Sequence, residues 1–296
     1  MPAWSVIVLI VCNLAWALNV VVGKVAVDDL AIPPIFFAGL RSAIVVVALA
    51  PLLLRAVPAR LAAVLAVGLA ISGGSFALLF MGLQTADPAT AGAIGLVGAP
   101  MTVLFAIVFL GETVRWRRAL GMVLAFAGVL LAILSKGALA AGEGALLVFL
   151  SALVGALGAV FVKKLDMGAM TLQAWAAVAS AIVLLPLSAV VEDGQIASAA
   201  ASPWALAGCL FFAAIVVSIG ATGTYFVLFR KFEANMVVPL TLLHPLMTIG
   251  LGAWLTNDTV GWRLLAGAAI ALAGVAIIVI RPSETFTKRF LVRPRI

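Results

Sequence analysis

Charge and the usual catalytic residue types are scarce in this sequence. Only 10% of its 296 residues are charged, and it holds one histidine, one tyrosine and two cysteines. A single histidine cannot build a His/Cys metal cluster, and the HExxH, GxSxG and P-loop signatures are missing. We therefore predict no metal, no cofactor and no catalytic residue, and expect that the protein is not an enzyme. Cys12 and Cys209 both lie within apolar runs, which argues against a disulfide.

Long hydrophobic runs are what the sequence has in abundance. Two thirds of the residues (66%) are hydrophobic and the mean hydropathy is +1.30. Apolar runs of about 20 residues, the length that crosses a bilayer as a helix, recur from end to end. They predict an all-α polytopic membrane protein with ten transmembrane helices at residues 4–24, 33–54, 59–83, 89–110, 117–135, 142–163, 170–191, 203–229, 234–256 and 261–281.

The few charges are distributed unevenly between the predicted loops. The net charge of +7 alone would be compatible with nucleic acid binding. With the amino terminus inside, however, fourteen of the eighteen Lys and Arg residues fall in cytoplasmic segments. This is the positive-inside pattern of membrane proteins. We therefore predict a lipid bilayer and no nucleic acid as partner, both termini in the cytoplasm, and a basic cytoplasmic tail at 282–296.

One sequence motif occurs twice in the chain. GETVRWRRALG, which begins at Gly111, has the same pattern of residues as TNDTVGWRLLAG, which begins at Thr256. An offset of 145 residues, which becomes 146 after one inserted residue, aligns the two halves and pairs Pro100 with Pro245. We interpret this as duplication of a five-helix unit, with a first repeat at 1–137 and a second at 138–281.

Because five is odd, the second repeat must enter the membrane upside down. The first copy of the motif then lies in the cytoplasm, where arginine is favoured, and the second copy lies outside. Inverted repeats are typical of secondary transporters, which bind substrate near the midplane between the halves. Small residues spaced i, i+4, i+7 in helices 5 and 10 predict faces for close helix packing: Gly121, Ala125 and Gly128, and Gly267, Ala271 and Gly274.

These features together resemble the drug/metabolite transporter superfamily and its EamA-type exporters. The resemblance is carried by the inverted duplication, the GET-x-x-W-R run that begins at Gly111, the spacing of Trp16, Asn19 and Lys24, and Arg41 in helix 2. Within the superfamily the chain is most similar to bacterial aromatic amino acid exporters. The resemblance implies export of small organic solutes across the inner membrane, through two four-helix bundles around a central cavity, with helices 5 and 10 peripheral.

Polar side chains at membrane depth need a partner or a cavity, so they are the best candidates for substrate contacts. Helices 8 and 9 each carry a polar stripe, that is, polar side chains on one face: Ser218, Thr222 and Tyr225 in helix 8, and Thr241, His244 and Thr248 in helix 9. The equivalent residues of the first half are apolar, which predicts a cavity with one hydrogen-bonding wall. The predicted substrate-binding residues are Trp16, Asn19, Phe80, Met101, Trp175, Ser218, Thr222, Tyr225, Thr241, His244 and Thr248. The alternative for each hydroxyl is a bond to its own helix backbone, and for His244 a hydrogen-bonded position in the core. For Trp175 the alternative is a position at the membrane interface, and for Phe80 and Met101 it is packing between helices.

Acidic residues are missing from the middle of all ten predicted helices. A carboxylate relay for proton-driven antiport therefore has no candidate. We expect an uncoupled facilitator that exports aromatic amino acids or similar amphipathic metabolites by alternating access. The alternative is export of other amino acids, nucleosides or drugs, with proton coupling through His244. His244 and Asn19 are the first candidates for contact with a substrate carboxylate. Arg41 is a less favoured candidate, because eight residues into helix 2 its side chain can extend toward the external surface. A monomer is compatible with the sequence.

Overall fold

The computed structural model describes residues 2–54, 57–111, 116–134, 142–162, 164–232 and 237–279, and these are almost entirely helical, without a strand. The loop at 112–115 and the predicted basic tail lie outside the described residues. In chain order the apolar helices are α1 (Ala3–Asp29), α2 (Pro34–Ala48), α3 (Leu61–Leu83), α4 (Pro88–Leu110), α5 (Trp116–Leu134), α6 (Gly142–Val162), α7 (Ala169–Val191), α8 (Pro203–Leu228), α9 (Leu243–Leu255) and α10 (Trp262–Val279).

Six of these helices, namely α1, α3, α4, α6, α7 and α8, are long and apolar enough to cross a membrane. The other four are shorter apolar helices at the remaining predicted positions. An all-helical fold with several helices able to span a bilayer is thus confirmed. The number of crossings and the side on which the termini lie stay predictions.

Several helices depart from regular α-geometry at equivalent places in the two halves. A π-helical stretch occupies Leu69–Gly74 in α3 and another occupies Phe212–Ala221 in α8. Helix α4 is interrupted between Gly95 and Gly98, and α9 is preceded by a 3-10 turn at Val238–Leu242. Pro100 and Pro245 follow these interruptions and have no amide hydrogen for an α-helical bond to the residue four positions earlier. The backbone is therefore irregular at the point where both helices pass the middle of their predicted spans.

Helices α5 and α10 pack closely against each other through their small residues. A Cβ atom on Gly128 would meet the backbone of Ala271 and Gly267, and one on Gly274 would lie 2.5 Å from the Gly121 carbonyl oxygen. Gly121 thus faces Gly274 while Gly128 faces Gly267, so the two helices run antiparallel. The predicted close packing of these glycine faces is confirmed, since no larger side chain fits there.

The remaining helices pair across the two halves of the chain. Helix α1 packs against α8 and α9, and α6 packs against α3 and α4. Helix α2 packs along α7. The first helix of each half therefore lies among the later helices of the other half, and side chains that are remote in sequence meet around α1 and α6.

Two carboxylates of the second half cap helices of the first half. The Glu192 carboxylate, at the end of α7, accepts hydrogen bonds from the Ile35 and Phe36 amides at 2.8 and 2.9 Å. The Asp258 carboxylate, in the loop between α9 and α10, accepts from the Ala89 amide at 2.8 Å. A negative charge at a helix amino terminus satisfies amides that have no partner within the helix and interacts favourably with the helix dipole. Both contacts join the halves at the ends predicted to be external.

Candidate functional site

Three of the residues predicted to bind substrate, Thr222, Tyr225 and His244, meet around a fourth, Trp16 of α1. Its indole N–H donates to the Thr222 hydroxyl of α8 at 3.2 Å. Its ring stands edge to face with Tyr225 at a centroid distance of 5.2 Å and with His244 of α9 at 6.4 Å. These contacts follow from the position of α1 against both α8 and α9. Aromatic rings, a hydroxyl and an imidazole are thereby gathered from three helices.

Two neighbouring cavities adjoin this cluster. The smaller, of about 220 Å³, is lined by Trp16, Gly95, Leu96, Ala99, Thr241, Leu242, His244, Pro245 and Val275. The larger, of about 310 Å³, lies among α1, α3, α4 and α6. Gly95 and His244 line both, so the imidazole stands where the two spaces meet. Their combined size lies within the range of small-molecule sites, about 300–1,000 Å³.

The interruption of α4 contributes open space to these cavities. A Cβ atom added to Gly95 or to Gly98 would meet no other atom within 4 Å. These glycines are therefore not required for close packing, in contrast to Gly128 of α5. Sequence reasoning missed both residues, although their spacing ahead of Pro100 is a signal for a broken helix.

The larger cavity carries hydroxyl groups from α3, α4 and α6 that sequence reasoning also missed: Ser75, Thr102 and Ser151. Ser75 donates its hydroxyl to the Ser151 carbonyl at 3.1 Å, and Ser151 donates to the Ser75 carbonyl at 2.7 Å. This reciprocal pair fastens α3 to α6. The remaining lining is mostly small or apolar, including Val20, Leu79 and Val148. The space therefore suits an apolar body with a few polar points of contact.

The polar stripe of α8 is anchored to its own helix and also accepts bonds from other helices. Ser218 donates to the Ala213 carbonyl at 2.7 Å and Thr222 donates to the Val217 carbonyl at 3.1 Å. Both bonds reach five residues back, which the π-helical stretch permits. In α9, Thr248 donates to the His244 carbonyl at 2.9 Å. Thr248 is fully buried and lies apart from both cavities, whereas Ser218 and Thr222 accept bonds from Arg41 and Trp16.

Arg41 does not extend to the surface, contrary to the expectation from the sequence. It is 4% exposed, and its Nη2 donates to the Ser218 hydroxyl at 2.8 Å. Its Nε donates to the Ala213 carbonyl at 3.3 Å, and its guanidinium lies 3.6 Å from the centroid of the Phe76 ring. Helix α8 packs against α2, which draws the side chain inward. Snorkelling needs a free path to the interface, and the residues packed around α2 remove it.

The other predicted residues do not all lie at the cavities. The Asn19 side-chain oxygen and the Trp175 indole nitrogen are buried without a hydrogen-bond partner among the described residues. Buried polar atoms of this kind usually have a partner, but neither residue lines the cavities described above. Phe80 is fully buried between Phe37 and Phe76, at centroid distances of 5.0 and 5.8 Å. Met101 is half-buried against the core. Neither of these two lines the cavities described above.

No group of three or more His, Cys, Asp and Glu side chains that could hold a metal ion occurs in the part of the chain that the structure describes. The polar atoms at the site are hydroxyl, imidazole, indole and guanidinium groups. They can bind and orient a solute through hydrogen bonds, ring contacts and charge, without forming a covalent bond to it.

The chain matches known proteins along most of its length. The profile of the EamA-like transporter family matches residues 3–134 and 142–280. A protein of Salmonella typhimurium named "Probable amino-acid metabolite efflux pump" is 30% identical over 88% of this chain and 90% of its own. An Escherichia coli protein of the same name is 29% identical over the same shares. One solved structure, described only as a crystal structure of a protein, is 17% identical and superposes with a TM-score of 0.54, covering 94% of this chain and 98% of that one.

Proposed function

Because the chain belongs to the EamA-like transporter family, we propose that it exports small amphipathic metabolites, in particular aromatic amino acids, across the bacterial inner membrane. The family and the efflux pumps similar to this chain make it a multi-pass membrane transporter and not an enzyme. The substrate, the route and the mechanism below are inferences from the site.

The observation that carries the proposal is the meeting of Trp16, Tyr225 and His244 beside the two cavities. Aromatic side chains offer a substrate ring edge-to-face contacts worth about 0.5–1.5 kcal/mol each beyond the area they bury. The hydroxyls of Ser75 and Ser151 supply polar contacts at the edge of an otherwise apolar space. An aromatic amino acid, with a ring at one end and two charged groups at the other, matches this distribution.

The proposed architecture has ten membrane crossings in two inverted five-helix repeats, with both termini in the cytoplasm. Support comes from the antiparallel pairing of the glycine faces of α5 and α10. Further support comes from the interruptions of α4 and α9, because each regular segment starts at an equivalent residue, Gly98 in one half and Leu243 in the other. Interrupted helices beside a central site are characteristic of transporters with inverted repeats.

Transport by alternating access requires contacts that form on one side and break when that side opens. The caps that Glu192 and Asp258 provide for α2 and α4 are contacts of this kind, since they join the two halves at the ends predicted to be external. We infer that the described conformation is closed on that side. Opening it would separate each carboxylate from its helix amino terminus.

The proposed transport is an uncoupled, facilitated export. No acidic side chain lies at membrane depth in the sequence, so no carboxylate is available to carry a proton with each substrate. The second candidate mechanism is proton coupling through His244, favoured by its position between the two cavities. A wider substrate range is the second candidate function, because the similar efflux pumps are named for amino-acid metabolites in general.

The test is counterflow in proteoliposomes loaded with unlabelled solute. Radiolabelled tryptophan, phenylalanine, threonine and a nucleoside are offered in turn, with and without a pH gradient. We expect accumulation of the two aromatic amino acids, at equal rates with and without the gradient. Accumulation of threonine or the nucleoside at comparable rates would favour the wider range, and stimulation by the gradient would favour coupling through His244.

A Tyr225→Ala, His244→Ala double variant tests the site separately from the fold. Loss of both rings removes two of the contacts to Trp16, so counterflow of phenylalanine should fall at least tenfold. The matched control is Phe109→Ala, an aromatic side chain that is 46% exposed and lies away from both cavities. Undiminished transport by a folded double variant would disprove the proposed site.

A further inference from the structure

Arg41 is a buried cation that has no counter-ion among the described residues. It is 4% exposed and is the eighth residue of α2, which places it roughly 10 Å along the helix from Pro34. In the ranges that the structure describes, the ion pair found is Lys24 with Asp28 at 2.8 Å, and Arg41 pairs with no acidic side chain. Burying an uncompensated charge is unfavourable. A residue of this kind within a transport protein points to a function that needs its charge.

The contacts of Arg41 fix the direction of the guanidinium without neutralising it. Ser218 and the Ala213 carbonyl accept its Nη2 and Nε hydrogens, and the Phe76 ring covers one of its faces. All three partners are electrically neutral. An arginine carries further N–H groups beyond those used here, and its planar fork matches the two oxygens of a carboxylate.

Arg41 lines neither cavity, but its partners connect it to the aromatic cluster that was described above. Its partner Ser218 lies one helical turn before Thr222, which accepts the indole N–H of Trp16. Its other neighbour, Phe76, follows Ser75, which lines the larger cavity. A group bound at Arg41 is therefore within about one helical turn, roughly 5 Å along α8, of the wall that Trp16 forms.

We propose that Arg41 binds the carboxylate of the transported solute. The substrate carboxylate accepts hydrogen bonds from the guanidinium N–H groups that the protein leaves available, and the ring of the substrate extends toward Trp16 and the cavities. The inference rests on the proposed function and narrows it, because it restricts good substrates to solutes that carry a carboxylate. It also gives the buried charge a partner whenever substrate is bound.

The experiment compares two ligands that differ only in that group. Binding of L-phenylalanine and of L-phenylalaninamide, in which a neutral amide replaces the carboxylate, is measured by calorimetry on purified protein. The wild type should bind phenylalanine about 10- to 100-fold more tightly than the amide, the factor expected for hydrogen bonds to a charged group. Arg41→Gln should reduce this preference to within about threefold of unity, and Arg41→Lys should leave an intermediate preference.

A merely structural role of Arg41 would lower the affinity of both ligands by the same factor, and that result would overturn the inference. So would a wild-type protein that binds neither ligand or binds both equally. Lys24→Gln is the matched control, since it removes a cation that is already paired with Asp28; it should keep the wild-type preference. If Arg41→Gln does not fold, the decision rests on Arg41→Lys, for which an unchanged preference would count against the inference.

Counterflow of the same proteins distinguishes this inference from the proposed function. Arg41-dependent preference for phenylalanine without counterflow would leave the carboxylate site standing and remove the transport proposal. Counterflow of phenylalanine with an unchanged preference in Arg41→Gln would leave the transport proposal standing and remove the carboxylate site.

Discussion

Replacing Asp258 with alanine should open the face of the protein that is predicted to be external. Its carboxylate holds the Ala89 amide of α4 at 2.8 Å and the Thr256 hydroxyl at 2.6 Å. The first of these bonds joins the second half of the chain to the first. Under the proposed alternating access the carboxylate and the amide would separate when this face opens, so the bond would stabilise only the closed state.

The expected shift of the equilibrium between the open and closed states follows from the type of contact that is lost. A carboxylate that caps a helix amino terminus contributes about 0.5–2 kcal/mol, which is lost on substitution by alanine. A loss of about 0.5–2 kcal/mol from the closed state alone changes the ratio of open to closed protein by a factor of about 2–30. The same shift should follow from Gly252→Ala, because a Cβ atom there would collide with the Asp258 carboxylate.

Access to Gly95 reports this equilibrium. Gly95 lines both cavities, and a Cβ atom there meets nothing within 4 Å, so cysteine fits at this position. Only Cys12 and Cys209 need to be replaced by serine to give a cysteine-free background. A membrane-impermeant thiol reagent is added outside intact cells, and the rate of modification of Gly95→Cys is measured. Asp258→Ala should raise that rate about 2- to 30-fold.

Asp193→Ala is the control, since Asp193 is an exposed acidic residue near the end of α7 that makes no hydrogen bond to the described residues. It should leave the rate of modification unchanged. A rate that Asp258→Ala does not raise, or that Asp193→Ala raises equally, would refute the reasoning that the cap closes this face. Glu192→Ala removes two further bonds of the same kind and should act in the same direction.

Three further outcomes are expected. Trp16→Phe keeps one aromatic ring but removes the pyrrole part of the indole and its bond to Thr222. Affinity for phenylalanine, measured by calorimetry, should weaken by about 2- to 10-fold, as the loss of one hydrogen bond of about 0.5–1.5 kcal/mol that orients the ring implies. Gly98→Leu extends into open space beside the larger cavity, so counterflow should be abolished while the melting temperature is unchanged. Gly128→Ala forces a methyl group against the α10 backbone and should lower the free energy of unfolding by about 1–3 kcal/mol, which is measured as a lower melting temperature. The control is Gly250→Ala, where a methyl group meets nothing within 4 Å; its melting temperature should not fall.

Much of the helical framework could be predicted from the sequence because each element depends on local features. A long apolar run has few alternatives to a helix in a bilayer, since every backbone polar group must be bonded internally. The glycine faces of α5 and α10 could be read from their spacing, because residues at i, i+4 and i+7 lie on one side of a helix. Their antiparallel pairing, Gly121 with Gly274, agrees with the predicted inversion.

The site could be predicted only in part. Trp16, Thr222, Tyr225 and His244, all proposed from the sequence, do meet. Their contact with substrate stays a prediction. Ser75 and Ser151 were overlooked because a single hydroxyl in an apolar helix usually bonds to its own backbone, and no local pattern distinguishes one that lines a cavity.

The sequence by itself determined which segments are helical and which faces of them carry small or polar residues. Only the tertiary structure decided which faces meet. Helical periodicity places a side chain on one side of its own helix but contains no information about the neighbour on that side. Arg41 illustrates the limit: its spacing in α2 was compatible with the surface, and the packing of α8 and Phe76 against it placed it in the interior. The physical reason is that close packing is a property of several helices together, whereas helix formation in a membrane is a property of each segment alone.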